Sequence, residues 1–207
     1  MSGARMRLWF NPASPFARKV RILARETGLA GDIEELSIPV SPVKPHAELA
    51  RENPLVKIPA LATPDQGTLY DSAVICEYLD SLHRGAPLIP KSGPERWRAL
   101  RLQALGDGIL EAAVLVRYEY AWRPQALQWN DWIAGQFGKV RGGLGALEAE
   151  CARWNGQFGI GQITAACVLG YLDFRFPQEA WRGSCPSLAR WCEGIAQRPS
   201  VADTVPA

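Results

Sequence analysis

The feature that most constrains this chain is a strand, a helix and a second strand written into about thirty residues near its start. Arg7 to Phe10 reads as a short strand, with Leu8, Trp9 and Phe10 apolar. Ser14 to Thr27 reads as a helix. Phe16, Ala17, Val20, Leu23 and Ala24 recur at helical spacing, and Arg18, Lys19, Arg21 and Arg25 supply the polar positions. Gly28 is a C-terminal stop. In "DIEELSIPV" the residues Ile33, Leu36 and Ile38 mark a second strand, so the unit is a parallel βαβ.

The next stretch keeps the mixed texture. Pro39, Pro42, Pro45 and Pro54 surround a short helical piece near Ala47 to Arg51. Lys57 to Thr63 is a third strand, "PDQG" a turn and "TLY" a fourth strand in an antiparallel hairpin. A second amphipathic helix, Ala73 to Leu82, carries Val74, Ile75, Tyr78, Leu79 and Leu82 on its apolar side. "HRGAPLIPKSGP", His83 to Pro94, is a linker, and beyond it only helices are predicted. They run from Pro94 to Trp122, Pro124 to Arg153, Gln162 to Phe174 and Ser187 to Gln197. An α/β half spanning 5–84 is followed by an all-helical half spanning 92–207.

Bulk properties narrow the partners. Of 207 residues 47% are hydrophobic, enough for a sizeable core. With 23 basic and 21 acidic residues the net charge is +2, which gives no reason to expect nucleic acid or membrane binding. No apolar run reaches the ~18 to 20 residues of a spanning helix, and "MSGARMRLWF" lacks the apolar core of a leader, so a soluble, cytoplasmic protein is expected. The five cysteines form no C-x-x-C pair, Cys76 and Cys167 sit in apolar runs, and His46 and His83 lie near none of them, so no metal is expected.

Three places can carry chemistry, and each has a plain structural reading beside it. Ser14-Pro15 is a good helix start, since Ser is a favoured N-cap and Pro a favoured first residue. The same position opens at the carboxyl edge of the sheet, where helix N-termini receive anions. Pro59 in "KIPAL" is either an ordinary edge-strand proline or follows a cis bond that turns the Ile58 backbone toward an extended peptide. Asp71-Ser72 either caps a helix or clamps an amino-acid end group, with Asp71 toward the ammonium and Ser72 toward the carboxylate. A late "GIGQITAACVLGYLDF" is read as structural, with Gly159 as N-cap and Gln162 reaching back to it. A short peptide with terminal carboxylates and a central thiol suits the first three together.

In order and spacing, "SPFARKVRI", "NPLVKIPAL", "DSAVICEYLD", "ALGDGILEA" and "LGYLDFR" resemble the glutathione S-transferase family. The resemblance is nearest to its small bacterial members with serine at the reactive position, and it covers about residues 6 to 200. It implies a thioredoxin-like N-terminal domain with a mixed four-stranded sheet, an all-helical C-terminal domain and a homodimer. It implies glutathione as co-substrate, conjugated to a small hydrophobic electrophile, the chemistry of detoxification. By the same resemblance Ser14 is the reactive hydroxyl and Pro59 the cis-proline. Lys57 faces the glycyl carboxylate, Ile58 pairs with the cysteinyl unit, and Asp71 and Ser72 clamp the γ-glutamyl group. Phe16, Tyr118 and Trp122 are assigned to the apolar wall, Phe16 also to glutathione, and Asp107 to the partner's glutathione site. Asn11 is a further candidate to reach the sulfur.

The chain departs from the family pattern twice. Val56 stands where Gly often precedes the lysine. Gly159 and Gln162 replace a Ser/Thr and Asp capping box, for which somewhat lower stability is expected. Other uses of the scaffold stay open: a thiol reductase (for which Ser14 in place of cysteine is unfavourable), an isomerase or dehalogenase, and a non-catalytic glutathione-binding or regulatory protein.

Overall fold

The structure, a computed structural model, describes residues 5–207. The leader reading of the first stretch lies partly outside the described residues. Strand β1 (Met6–Phe10) pairs in parallel with β2 (Ile33–Ser37), and helix α1 (Pro15–Glu26) crosses between them. After the short helix α2 (Ala47–Glu52), β3 (Ala60–Thr63) lies antiparallel to β1, and β4 (Gly67–Leu69) antiparallel to β3. The sheet order is β2-β1-β3-β4, a mixed four-stranded sheet of thioredoxin type. Helix α3 (Ser72–Leu82) closes this half. The second half is helical: α4 (Gly93–Trp122), α5 (Asn130–Cys151), α6 (Ile160–Arg175), α7 (Pro186–Ile195) and α8 (Pro199–Ala202).

Several boundaries differ from the sequence reading, each for a local reason. The third strand starts at Ala60 rather than Lys57, because Pro59 has no N–H for a ladder and sits outside the strand. The helix expected from Pro124 starts only at Asn130. A single 3-10 turn, Gln125–Leu127, intervenes, and the Trp129 N–H is held by the Glu119 carboxylate at 3.1 Å. Beyond the last helix expected from the sequence, a short further helix, α8, forms with Pro199 as its first residue.

Helix α1 is buried on both sides, which its amphipathic pattern did not suggest. Val20, Leu23 and Ala24 join the core shared with the sheet. Arg18 and Lys19, polar positions of the helical pattern, are 4% and 0% exposed because the helical half covers them. Arg18 donates to the Ala166 carbonyl at 3.3 Å and the Val201 carbonyl at 3.2 Å, and Lys19 Nζ meets both Asp107 oxygens at 2.7 Å. In α3 the buried face is Ile75, Cys76 and Leu79, while Val74 and Leu82 are exposed. The linker is tied down by Asp80, whose carboxylate accepts the Leu88 and Ile89 N–H groups at 2.8 and 3.0 Å.

The helix directions decide what lies near Ser14. Helices α4 and α6 run parallel, because Leu102 packs on Gly161 and Thr164 packs on Gly106 further along both. Helix α1 runs against α6. Its C-terminal Glu26 holds Arg198, whose guanidinium lies 4.2 Å from the Phe158 ring just before α6, whereas Arg18 reaches Ala166 and abuts Gly170. Ser14 is one turn earlier still, so it opens toward the C-terminal ends of α4 and α6.

Candidate functional site

Ser14 is the N-cap of α1. Its Oγ accepts the Ala17 N–H at 3.2 Å, while the Ser14 carbonyl takes Arg18 N–H at 3.0 Å. Pro15 has no N–H, so Phe16 N–H is the first-turn donor left without an intrahelical acceptor. The cap uses a lone pair of the Ser14 oxygen and leaves its proton free to donate. Two donors, Ser14 O–H and Phe16 N–H, therefore sit at the positive pole of α1. The Phe16 ring is half-buried and packs on the core, away from the aromatic cleft described below.

Asn11 is committed to the backbone. Its Oδ1 accepts the Ala13 N–H at 3.0 Å, and its Nδ2 donates to the Ile38 carbonyl at 2.9 Å. It shapes the turn that presents Ser14 and ties it to the end of β2.

The Ile58–Pro59 bond is cis. Ile58 N–H and C=O take part in no hydrogen bond among the described residues, and Lys57 beside them is exposed and unpaired there. The loop before them is built by Asn53, which is 1% exposed and which the sequence reading passed over. Its Oδ1 accepts Leu55 N–H at 3.0 Å and its Nδ2 donates to the Lys57 carbonyl at 2.9 Å. The Asn-Pro pair at 53–54 is the signal that marks such a turn. Val56 occupies a left-handed conformation, φ 50°, which a glycine would adopt without steric cost. Its side chain packs against the small cluster of Trp9, Ile38, Leu49 and Ala60, and that burial offsets part of the strain.

Asp71 caps α3, with its carboxylate accepting Ala73 N–H at 3.0 Å. The carboxylate itself is exposed, and Ser72, the first helical residue, is 3% exposed. Asp107 lies close enough for the Asp71 charge to act on it. Burial, outweighing the Lys19 charge, holds the Asp107 carboxyl above its usual range. The structure thus places Asp107 at this chain's own domain interface, chelated by Lys19.

Tyr118 and Trp122 come together in an open cleft of about 630 Å³. Pro42 and Val43 of the loop after β2 form one wall, and Trp129 and Trp132 continue the other. None of those four is a site residue by the sequence pattern. The aromatic run "YEYAWRPQALQWNDW" was the available signal. The cysteines contribute nothing here: burial pushes the Cys76 and Cys167 thiols up to about 12 and about 11. Among the described residues no group of His, Cys, Asp or Glu could hold a metal ion, and no helix is long and apolar enough to cross a membrane.

Known proteins resemble both halves. The family model for the glutathione S-transferase N-terminal domain matches residues 13–82, and that for the C-terminal domain matches residues 130–194. The uncharacterized GST-like protein YibF of Escherichia coli K12 is 32% identical over 97% of this chain and 98% of its own. A glutathione transferase family member from Pseudomonas fluorescens Pf-5, solved with bound glutathione, superposes with a TM-score of 0.95 at 49% identity. The match covers 98% of this chain and 99% of that one. A structure of a Pf-5 family member with bound S-(propanoic acid)-glutathione gives 0.91 at 48% identity, over 98% and 100%.

Proposed function

The chain belongs to the glutathione S-transferase family, and on that premise we propose that it binds glutathione and transfers its thiolate to a small electrophile. The observation that carries the reading is the uncommitted hydroxyl proton of Ser14 at the N-terminus of α1. A free thiol with a pKa of ~8.5 is only a few per cent thiolate at pH 7. A hydrogen bond to a charged acceptor contributes ~1.5 to 3 kcal/mol, which lowers that pKa by about one to two units. Ser14 O–H donates to the sulfur, Phe16 N–H and the α1 dipole add to it, and the thiol proton leaves to solvent. Ser14 stabilises the nucleophile and is not itself one.

The remaining groups hold the tripeptide. Ile58 offers its unpaired N–H and C=O to the cysteinyl backbone, and Lys57 meets the glycyl carboxylate. Asp71 takes the γ-glutamyl ammonium and Ser72 its carboxylate. The electrophile occupies the cleft of Tyr118, Trp122, Trp129 and Trp132. The 48%-identical structure with S-(propanoic acid)-glutathione supports a substituent on sulfur that carries an acid group. A homodimer in the cytoplasm completes the reading.

The test is calorimetric binding of glutathione followed by turnover of a generic aryl halide, in wild type and in Asp71→Ala and Ser72→Ala. Tight binding with turnover, and affinity reduced in both variants, is the expected result. Binding without turnover of any electrophile points to a non-catalytic protein. Absence of binding overturns the proposal.

A further inference from the structure

At the end of the domain interface toward which Ser14 opens, two arginines have no counter-ion among the described residues. The sequence offset that sets Leu102 on Gly161 and Gly106 on Thr164 brings Arg117 of α4 level with Arg175 of α6. The Arg175 Nε is buried and has no hydrogen-bond partner, and its guanidinium lies 4.0 Å above the Phe174 ring. Half-buried Arg117 makes no ion pair among the described residues. Burial first, and the Arg117 charge second, hold the Arg175 guanidinium below its usual range.

The acidic groups on the flanking turns are committed elsewhere. Glu119 holds Arg123 and the Trp129 N–H, Asp173 holds Arg182 and the Trp181 indole, and Glu179 holds Arg141. Tyr171, 3% exposed, has its hydroxyl beside Arg175 and near Tyr118, a lining residue of the aromatic cleft. Two close cations, one with a buried donor left unmade, are costly until an anion lies between them. Planar, forked guanidinium groups fit a carboxylate best.

We infer that Arg117 and Arg175, with the hydroxyls of Tyr118 and Tyr171, receive a carboxylate on the second substrate, which is therefore a small acid; with an α,β-unsaturated acid the chemistry is conjugate addition. The inference rests on the glutathione-transferase reading. The thiolate sulfur bonds to the β-carbon, and the carbon–carbon π bond breaks. Its electron pair moves to the α-carbon and into the carboxylate, and the α-carbon takes a proton from water. Unsaturated carboxylates are sluggish acceptors because their own charge repels the thiolate. The two arginines cancel that charge and the further charge that develops as the bond forms.

The test compares calorimetric affinities of glutathione, S-(2-carboxyethyl)glutathione and its uncharged amide, S-(2-carbamoylethyl)glutathione. Wild type is expected to prefer the acid over the amide by about tenfold or more, the range of one charge-assisted hydrogen bond. Arg117→Gln, Arg175→Gln and the double variant lose that preference while glutathione affinity stays within about threefold, which also reports that they fold. Arg117→Lys, keeping the charge, retains part of it. Equal affinity of wild type for acid and amide overturns the inference and leaves glutathione binding standing, as does a preference that survives the double variant. Failure of wild type to bind any of the three ligands overturns the inference together with the function it rests on.

Discussion

In the proposed function Ser14 serves two ends, because a hydroxyl has both lone pairs and a proton. The lone pair caps α1 through Ala17 N–H, and the proton is left for a ligand. Substitution can separate the two. Ser14→Ala removes cap and donor, at about 1 kcal/mol of stability, whereas Ser14→Gly removes the donor and costs only a few tenths. Both variants are expected to lose conjugation rate about 10- to 100-fold at pH 6.5, whatever their melting temperatures. The loss should shrink as pH rises past about 8.5, where the thiol ionises unaided. A rate loss that tracks melting temperature across the two variants would reduce Ser14 to a cap. Asn11 and Asn53 stand behind the residues proposed to face glutathione: each spends its amide on backbone groups and fixes the loop that carries Ser14 or Lys57.

At the scale of elements, the start of α6 shows why a cap cannot be judged from its own two residues. Gly159 has no side-chain acceptor, so only the return half of a capping box exists, Gly159 N–H to Gln162 Oε1 at 3.0 Å. The Leu88 carbonyl, from outside the helix, accepts a different first-turn donor, Ile160 N–H, at 3.0 Å. A Cβ at Gly159 would stand 2.8 Å from that same oxygen. One orphan donor of α6 is thus satisfied by tertiary structure, and the Gln162 N–H that a Ser or Thr cap would take is not, among the described residues. Gly159→Ser, which restores the usual cap residue, is expected to destabilise by roughly 1 to 3 kcal/mol through displaced backbone, read as a lower Tm. A higher Tm would mean that the Leu88 contact yields easily.

At the scale of the molecule, α1 is the shared wall of both halves, and charged groups fasten it. Glu26 at its end binds Arg198 at 2.7 Å, and Ser200 donates to the same carboxylate. Burial alone would raise the Glu26 pKa, but the hydrogen bonds from Arg198 and Ser200 outweigh it and hold it below the usual carboxylate range. Folding therefore favours the ionised form. Its contribution is complete above the unfolded value of 4.5 and is lost as pH falls through the lower folded value. Glu26→Gln is expected to lower Tm at pH 7 and to flatten its fall between about pH 5 and 3. An unchanged slope would assign that acid sensitivity to other carboxylates.

The sequence by itself determined the elements and the local chemistry of the candidate site. Period and punctuation marked the βαβ unit, the hairpin, the helix starts at Ser14 and Asp71, and the anomaly at Pro59. Those features depend on residues adjacent in the chain. Tertiary structure alone decided what faces what. Arg18 and Lys19 look like surface on a helical wheel, yet the second half buries them with partners 88 to 186 residues away. The aromatic cleft joins Pro42 to Trp132, and the Arg117–Arg175 pair exists only because α4 and α6 run parallel in one register. Local propensity acts over one or two turns, whereas burial and charge are set by whichever distant segment packs on top.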